Sequence, residues 1–315
     1  MSNLLKITLV TCCFNEENNL SILYQRINRL IESLGGYEWK LLIVDDGSTD
    51  NTQNIAKQIA TKETYVDYIN FTRNFGKEAA ITAGLDYAAN ADAVILFDAD
   101  LQHPIELVST LLEKWQAGAD MVIARPSSRK NGFFNSVFSK YFHKFVSAFS
   151  SYDITHTGGD FRLLSAKQIS HLKKMRERSR YMKGMYSFPG GRIEIIDYSE
   201  EDRISGQSSF TMLKRIGLAV NGITSITAFP IRIFSIVGLA VLVLAFMYLV
   251  YIGFEIVFFG RSMPGFASLL FSVVILNGLI MIQVGIQGEY IAQLLTEAKQ
   301  RPIYIVDEEN SIIHD

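Results

Sequence analysis

The sequence predicts an α/β protein with a mainly parallel sheet and helices on both faces of that sheet. Membrane-associated helices follow this part along the chain. Three observations lead to this fold class. Strand-like and helix-like segments alternate through the first third of the chain, acidic turns follow three of the strands, and the last third carries long uncharged apolar runs. Alternating strands and helices form right-handed crossovers, which place successive strands parallel in one sheet.

The individual elements follow from hydrophobic periodicity. Short apolar runs predict strands at residues 7–13, 40–44, 66–71 and 93–97. Between them, apolar residues recur at helical spacing and predict helices at residues 20–34, 52–62 and 78–89. We therefore expect one α/β domain over residues 1–208, followed by segments of different composition.

Polar and acidic side chains cluster where three of the strands end. The clusters are Asn15-Glu16-Glu17, Asp45-Asp46-Gly47-Ser48 and Asp98-Ala99-Asp100. Ligands of parallel sheets bind beyond the carboxyl ends of the strands. Three acidic turns at one edge therefore favour a pocket for a nucleotide and a metal ion. For any single turn, the alternative is a helix cap, with Thr49 or Asp50 capping the next helix.

Asp98 and Asp100 are the most informative pair among these acids. Side chains alternate along a strand, so both carboxylates project the same way where the strand leaves the core. Hard carboxylate oxygens at this spacing favour Mg²⁺ or Mn²⁺. The alternative is that one aspartate caps the helix starting near Pro104 and the other is a solvated loop residue. The segment alone supports both interpretations.

Composition and missing motifs disfavour other function classes. A formal net charge of −2 argues against binding of nucleic acid. The chain has no G-x-G-x-x-G after its first strand and no G-x-x-x-x-G-K-[ST], so neither a dinucleotide-binding fold nor a P-loop is supported. Cys12 and Cys13 are adjacent, which suits neither a mutual disulfide nor a zinc site.

A transmembrane helical hairpin is predicted over residues 231–292. The run IFSIVGLAVLVLAFMYLVYIGF at 233–254 carries no charge, and a second apolar run covers 266–288. Each is long enough to cross a hydrocarbon core of about 30 Å, so we expect membrane helices at about 233–256 and 266–288. The alternative is a buried helical hairpin inside a soluble protein.

Charges around the hairpin predict its orientation. Basic residues flank both outer ends, and the connecting turn has only Arg261; the flanking residues are Lys214, Arg215, Arg232, Lys299 and Arg301. The positive-inside rule therefore places both termini in the cytoplasm, with residues 293–315 as a cytoplasmic tail. The segment 209–230 suits an interfacial amphipathic helix, and a core helix fits equally well. Polar Asn277, Gln283 and Gln287 suggest a homo-oligomer or pairing within one monomer.

Six motifs occur in order along the chain: TCCFNEENNL, VDDGSTDNT, FTRNFGKEAAITAGL, FDADLQHP, GGDFRLL and GEYI. Together with the apolar hairpin, they resemble family-2 glycosyltransferases of the polyprenyl-phosphate type, to which dolichol-phosphate mannosyltransferases also belong. The closest likeness is to bactoprenol (undecaprenyl-phosphate) glucosyltransferases, and it covers nearly the whole chain. The resemblance implies a GT-A fold, with the sugar nucleotide at the rim of strand ends and a lipid phosphate approaching from the membrane.

The same resemblance assigns roles residue by residue. Nucleotide-binding positions fall on Asn15, Glu16, Asp45, Asp46 and Asp98. The D-x-D-x-Q metal positions fall on Asp98, Asp100 and Gln102, which would bridge Mg²⁺ or Mn²⁺ to the donor diphosphate. The position of the family's candidate catalytic aspartate falls on Asp160, and we also expect Asp100 to be catalytic. For Asp160, a loop aspartate after two glycines is the structural alternative.

One departure from the family pattern affects the lipid side of the site. The family commonly has a lysine just before the membrane, in Arg-x-x-Gly-x-Ser/Thr-Lys, whereas this chain has Ser209 at that position. Binding of the lipid phosphate is then expected from neighbouring cations, namely Arg125, Arg129, Arg203 and Lys214.

The resemblance implies a metal-dependent transfer of one hexose, glucose from UDP-glucose, to undecaprenyl phosphate on the cytoplasmic face of a bacterial inner membrane. Because the sequence shows no evident covalent nucleophile, we expect a single in-line displacement that inverts the anomeric centre. The product would serve later cell-surface glycosylation such as O-antigen modification. The absence of Gln-x-x-Arg-Trp favours single-sugar transfer over processive synthesis. Alternatives are another donor, of the GDP-mannose, UDP-N-acetylhexosamine or UDP-aminoarabinose type, or a non-catalytic nucleotide-binding membrane module.

Overall fold

A computed structural model describes residues 4–88, 90–126, 159–198, 229–259 and 265–314. The chain divides into two compact units, Met1–Met212 with Arg301–Asp315, and Leu213–Gln300. The predictions for Arg129, Arg203 and Lys214, and for most of the interfacial segment 209–230, lie outside the described residues.

The first unit is built on a seven-stranded sheet. Its strands are β1 (Leu5–Cys13), β2 (Tyr37–Asp45), β3 (Val66–Asn70), β4 (Ala93–Asp98), β5 (Met121–Pro126), β6 (Arg162–Ser165) and β7 (Ile193–Tyr198). They lie in the order β3-β2-β1-β4-β6-β5-β7. Strand β6 runs antiparallel to β4 and β5, and the other pairings are parallel. The predicted mainly parallel sheet is confirmed.

Helices cover both faces of this sheet, as predicted. They are α1 (Leu20–Ser33), α2 (Thr52–Lys62), α3 (Lys77–Tyr87), α4 (Val108–Gln116), α5 (Ala166–Lys174) and α6 (Met182–Ser187), with a 3₁₀ turn at Ile105–Leu107. Alternate side chains of β1 enter two different cores. Leu9 packs in the core that holds Leu23 of α1 and Leu111 of α4, whereas Val10 packs in the core that holds Ala80 of α3.

Close packing of α3 against β1 depends on Gly84. A Cβ atom at this position would overlap the side chain of Val10, which is fully buried. The helix therefore lies directly against β1. This packing matters for the site because α3 begins at the same edge of the sheet as the acidic turns.

The last residues of the chain also belong to the first unit. Ile312 and Val306 form antiparallel bridges to Tyr68 and Phe71. The backbone groups of Tyr68 and Ile312 exchange hydrogen bonds of 2.7 and 2.8 Å. The segment thereby covers the outer edge of β3, whose backbone groups would otherwise be open to pairing with another chain. Sequence reasoning identified these residues only as a tail and assigned them no packing partner.

The second unit contains two long helices, α7 (Phe229–Phe259) and α8 (Phe266–Ala298). At about 1.5 Å per residue, helices of 31 and 33 residues exceed the thickness of a bilayer core. Among the described residues, Ser268–Ala298 is long and apolar enough to span a membrane, and α7 contributes a shorter apolar stretch, Ile236–Ile252. The two-span hairpin stays a prediction.

The polar residue Asn277 has a partner within its own helix. Its side-chain amide donates to the carbonyl oxygen of Val273 at 2.8 Å. Such a local bond satisfies a polar side chain in an apolar environment without a second helix. The homo-oligomer predicted partly from Asn277 therefore gains no support from this contact, and it stays a prediction.

Candidate functional site

The carboxyl ends of β1, β2 and β4 meet at one edge of the sheet. In the strand register, Cys13 is opposite Asp45 and Cys12 is opposite Asp98, so the three acidic turns lie side by side. Burial raises the pKa of Glu16, and the negative charges of Asp100 and Asp98 raise it further. The turns after β1 and β4 are therefore close enough to interact electrostatically, as their strand-end positions predict.

Hydrogen bonds join the turn after β1 to the turn after β2. Asn15 has a left-handed backbone (φ 58°), and its N–H donates to Ser48 Oγ at 2.9 Å. Its side-chain oxygen accepts the N–H of Thr49 at 2.8 Å. The N–H of Glu16 donates to Thr52 Oγ1 at 2.8 Å. Asn15 and Glu16 are thus held at the rim where a nucleotide was expected, and their contact with it stays a prediction.

Asp45 is fully buried beneath this rim. One carboxylate oxygen accepts the N–H and the hydroxyl of Ser48, at 2.9 and 2.6 Å, and the other accepts the hydroxyl of Tyr68 at 3.1 Å. Burial raises the pKa of Asp45, and its bonds to Ser48 and Tyr68 oppose that rise. These hydrogen bonds make Asp45 the centre of the turn, and its contact with a nucleotide stays a prediction.

Asp46 determines where α3 begins. Its carboxylate accepts the N–H of Phe75 at 2.6 Å and the N–H of Gly76 at 2.9 Å. Gly76, the N-cap of α3, has φ 97°, a conformation that favours glycine. Burial raises the pKa of Asp46, and the two backbone N–H groups oppose the rise. A residue predicted to bind the nucleotide therefore also positions the first turn of a helix.

Lys77, the first residue of α3, lies between two of the predicted acids. Its Nζ is 2.7 Å from Asp98 Oδ1 and 2.5 Å from Asp160 Oδ2. Burial alone lowers the pKa of Lys77, but the negative charges of Asp98 and Asp160 outweigh it and raise the pKa above its usual range. The structure thus brings together the predicted metal and catalytic aspartates around an ammonium group that sequence reasoning did not single out.

His103 is a second neighbour of Asp98. Its Nε2 is 3.7 Å from Asp98 Oδ2, and its Nδ1 is 2.9 Å from the hydroxyl of Tyr198. Burial raises the pKa of Asp98, but His103 and Lys77 lower it more strongly, so the carboxyl is held below its ordinary pKa. His103 lies within the motif FDADLQHP, but no site role was predicted for it from the sequence.

Asp100 and Gln102 lie in a tight turn after β4. An oxygen of Asp100 accepts the N–H of Gln102 at 3.1 Å, and Leu101 between them has φ 61°. Asp100 therefore stabilises a turn through one carboxylate oxygen. This contact does not exclude the predicted role of Asp100 as a metal ligand. This turn follows directly from Asp98, so all three predicted metal ligands share one short segment.

The donor set can be tested against a divalent ion. No group of three or more His, Cys, Asp or Glu side chains that could hold a metal occurs within the described parts of the chain. The predicted ligands are the carboxylates of Asp98 and Asp100 and the side-chain amide of Gln102, which are all hard oxygen donors. Three such ligands suit Mg²⁺ or Mn²⁺, because these ions usually keep further coordination positions for water and phosphate oxygens. The ammonium of Lys77 against Asp98 also shows that this position accepts a positive charge. These residues fit a divalent ion shared with a diphosphate.

The predicted lipid-phosphate residue Arg125 is paired with an acid. At the end of β5, its guanidinium forms two hydrogen bonds with Asp197 of β7, at 2.7 and 3.1 Å. Both side chains are about half exposed, at 46% and 53%. An exposed pair of this kind contributes little stability, so Arg125 can exchange this partner for a stronger anion.

Basic residues at the end of α5 and just after it contact groups within the first unit. Arg176 forms two 2.8 Å bonds with Asp86, Lys173 donates to the carbonyl of Asp86, and Arg178 donates to the carbonyl of Arg301. These cations connect α3, the end of α5 with the residues that follow it, and the chain end. They are therefore structural contacts of the first unit.

Arg162 is a buried cation that sequence reasoning did not select. It is 0% exposed, its guanidinium lies 3.8 Å from the ring centre of Tyr186, and it donates to the carbonyl of Gly159 at 2.5 Å. The contact with Gly159 bends the chain around Asp160, which lies between the two residues. The motif GGDFRLL contains this arginine, and the motif is the one sequence signal for it.

Comparison with known proteins decides the family. The model of glycosyl transferase family 2 matches residues 8–172, which contain the sheet edge and every site residue above from Asn15 to Arg162. This chain belongs to glycosyltransferase family 2. The family resemblance predicted from the six motifs is confirmed, and so is the prediction of a glycosyltransferase.

Two relatives of this glycosyltransferase match it along almost their whole length. A prophage bactoprenol glucosyl transferase homolog of Escherichia coli strain K12 is 42% identical, covering 96% of this chain and 98% of the relative. Bactoprenol glucosyl transferase of Shigella phage SfV is 40% identical, covering 97% and 99%. Mannosyl-3-phosphoglycerate synthase from Rubrobacter xylanophilus, a solved structure at 15% identity, has a TM-score of 0.51 over 70% of this glycosyltransferase and 73% of that chain. The last comparison supports the predicted GT-A-type fold.

Proposed function

We propose that this glycosyltransferase transfers a single glucose from UDP-glucose to undecaprenyl phosphate, with inversion at the anomeric carbon. The observation that carries the proposal is the near full-length similarity to bactoprenol glucosyl transferases at 42% and 40% identity. Two features of the chain agree with it. The acidic rim around Asp98 and Asp160 suits a sugar diphosphate, and Ser268–Ala298 is apolar enough to lie in a membrane that holds the lipid acceptor.

The proposed reaction is one displacement. An oxygen of the lipid phosphate forms a bond to the anomeric carbon, while the bond from that carbon to the diphosphate breaks and UDP leaves with the electron pair. A phosphate monoester has a second pKa near 6, so it is mostly dianionic at neutral pH. The acceptor therefore needs no strong base to become nucleophilic.

Asp160 then acts by its charge and position. Burial raises its pKa, but the charges of Lys77 and Lys183, with the hydrogen bond from Lys77, together lower it more, so the carboxylate is ionised at neutral pH. An ionised group at this place stabilises the positive charge that develops on the anomeric carbon. Asp98, Asp100 and Gln102 would hold Mg²⁺ or Mn²⁺, whose charge would stabilise the departing diphosphate.

The location of the reaction is also part of the proposal. The two apolar helices would anchor the enzyme in the bacterial inner membrane as a hairpin, with the first unit and both termini in the cytoplasm, where sugar nucleotides are made. The basic residues that flank the hairpin support this orientation. Labelling of single cysteines at either terminus in intact and opened cells tests it; access from outside to either one would contradict the orientation.

The test of activity uses the purified full chain with undecaprenyl phosphate, Mg²⁺ or Mn²⁺, and radiolabelled sugar nucleotides. We expect label from UDP-glucose in the organic phase and an anomeric coupling opposite to that of the donor. Label from a GDP-mannose, N-acetylhexosamine or aminoarabinose donor instead would change the sugar and keep the reaction class. The Asp100→Asn variant should lose transfer. Absence of transfer from every donor by the parent would favour a non-catalytic nucleotide-binding module.

A homo-oligomer remains part of the proposal because polar residues recur along α8, namely Asn277, Gln283 and Gln287. Their helix faces the lipid phase in the proposed arrangement, where polar groups favour pairing. Crosslinking in native membranes should yield species larger than one chain, and monomers alone would remove the proposal.

A further inference from the structure

Lys77 contacts the two most important acids of the site at the same time. Asp98 ends β4, and Asp160 precedes β6, so the two carboxylates come from segments far apart in sequence. The Lys77 ammonium contacts both oxygens of Asp98, at 2.7 and 2.8 Å, and one oxygen of Asp160, at 2.5 Å. Both carboxylates are only about one-quarter exposed, so water screens their mutual repulsion incompletely.

The position of Lys77 is imposed by the fold. Asp46 accepts the N–H groups of Phe75 and Gly76, which fixes the first turn of α3 at the rim. Gly47 allows the segment before α3 to lie close to the turn after β2. A Cβ atom on Gly47 would be only 2.5 Å from the backbone carbonyl carbon of Arg73. The backbone of Lys77 is therefore held in a fixed position. From there its side chain brings the ammonium to the carboxyl ends of the strands.

The Lys77 ammonium and a divalent ion bound at the same Asp98 oxygens would compete for one position. The ammonium lies 2.7 and 2.8 Å from those two oxygens, which is the space that such an ion would need. An ion that binds both Asp98 oxygens replaces the ammonium there, since two cations on one carboxylate repel each other. Asp160 offers the ammonium a second carboxylate that the predicted metal set does not include.

We propose that Lys77 is a positioning residue that occupies the cation position of Asp98 in the metal-free enzyme and is displaced from it towards Asp160 when a divalent ion binds. This inference rests on the proposed function for the identity of the ion, and it goes further by assigning a competitor to the metal. The ammonium keeps the two carboxylates close before the donor arrives. It then remains beside Asp160, where it prevents the two acids from repelling each other.

Mn²⁺ binding to the purified full chain, measured by electron paramagnetic resonance without nucleotide or lipid, tests the proposal directly. Lys77→Met removes the competitor, so Mn²⁺ should bind at least about tenfold more tightly, which corresponds to about 1.4 kcal/mol. Lys77→Arg keeps a positive charge and should bind like the parent. Lys6→Met is the matched control, because it also removes one lysine charge but lies at the opposite end of β1. Equal or weaker binding by Lys77→Met, or no binding by either protein, would overturn the proposal.

A second measurement needs no substitution, in case Lys77→Met fails to fold. Reductive methylation followed by mass spectrometry reports how accessible each lysine amine is. Saturating Mg²⁺ should raise methylation of Lys77 several-fold and leave Lys6 unchanged. Equal methylation of Lys77 with and without Mg²⁺ would overturn the displacement.

The transfer assay run on the parent separates this inference from the proposed function. Glucose transfer by the parent, with unchanged Mn²⁺ affinity in Lys77→Met, removes the role of Lys77 and leaves the reaction. Tighter Mn²⁺ binding in Lys77→Met, with no transfer by the parent from any donor, keeps the competitor and removes the reaction.

Discussion

The ring of Tyr304 stacks on the ring of Phe71, with centroids 5.1 Å apart and planes 10° apart. Phe71 follows β3 and is 1% exposed, whereas Tyr304 lies beyond the end of α8. The Tyr304 hydroxyl also donates to Asp86 of α3 at 2.9 Å. The chain end is therefore packed against the domain that carries the candidate site, and its contacts should contribute to the stability of that domain.

Replacement of Tyr304 by alanine should lower the free energy of unfolding of the first unit by about 2 kcal/mol. The change removes a partly buried aromatic ring, its stacking on Phe71 and its bond to Asp86. Thermal unfolding of the full chain in detergent, followed by tryptophan fluorescence, measures the loss. Both tryptophans, Trp39 and Trp115, lie in the first unit, so the signal reports on that unit.

Ile305→Ala is the matched control for this change. Ile305 is the next residue, and its side chain is 48% exposed, so its removal should cost less than about 0.5 kcal/mol. Equal losses in the two variants would show that the stacking contributes nothing specific.

The sheet and its acidic rim were predictable from the sequence because both depend on short-range patterns. Alternating apolar strands and helices specify the first four strands, and the acids follow directly where three of those strands end. The register that sets Cys12 opposite Asp98 then places the acids together. Parallel strands share one carboxyl edge, so this part of the site needs no long-range information.

The rest of the site depends on contacts that spacing does not reveal. Asp160 reaches Lys77 because β6 inserts antiparallel between β4 and β5, and no local pattern predicts that insertion. The same holds for the chain end. The run IYIVDEENSII is short and partly acidic, and only its pairing with β3 shows that it completes the sheet edge.

Asp46→Ala should destabilise the first unit and reduce transfer. The change leaves the N–H groups of Phe75 and Gly76 without their carboxylate acceptor, at a cost of about 2 kcal/mol. Lys77 follows these residues, so kcat should fall even at a temperature where the variant is fully folded. Thermal unfolding and the transfer assay measure the two effects. Asp46→Asn retains one acceptor oxygen and should recover part of both, and a variant that is unstable but fully active would contradict the link to Lys77.

Asp120 should contribute stability that depends on pH. The N–H of Arg192 and the ammonium of Lys167 contact its carboxylate, and the bond from Arg192 is the main cause that lowers its pKa. Because the folded pKa lies below the ordinary value of 3.8, the unfolded chain takes up the proton first as pH falls. The contribution is present above that pH and is lost below it.

Unfolding midpoints of the parent and of Asp120→Asn between pH 6 and pH 3 test this expectation. The difference between the two proteins should be largest at pH 6 and should shrink as the pH falls through about 4. A difference that stays constant over this range would show that the carboxylate charge is not responsible.

Arg125 and Asp197 form a pair of variants with opposite expectations. If Arg125 binds the lipid phosphate, Arg125→Ala should raise the KM for undecaprenyl phosphate about tenfold, because one charge-assisted contact is lost. Asp197→Ala frees the guanidinium from its present partner and should leave this KM unchanged or lower it. Neither change should alter the unfolding midpoint much, since the pair is exposed. A rise in KM for both variants would mean that the ion pair itself shapes the site.

Asp160→Asn should lower kcat at least about 100-fold without moving the pH at which the rate rises. The pKa of Asp160 is held below its ordinary value because Lys77 and Lys183 together outweigh burial, so the group is already ionised above about pH 4. The acceptor phosphate instead gains its second charge near pH 6, and the rate should increase through that pH. Profiles of kcat from pH 5 to 8 for the parent and the variant measure both quantities. A lower plateau of kcat with the same midpoint indicates that Asp160 acts by position and charge. If the rise of kcat with pH disappears in Asp160→Asn, Asp160 is the titrating base. That result would contradict the second ionisation of the acceptor phosphate as the cause of the rise.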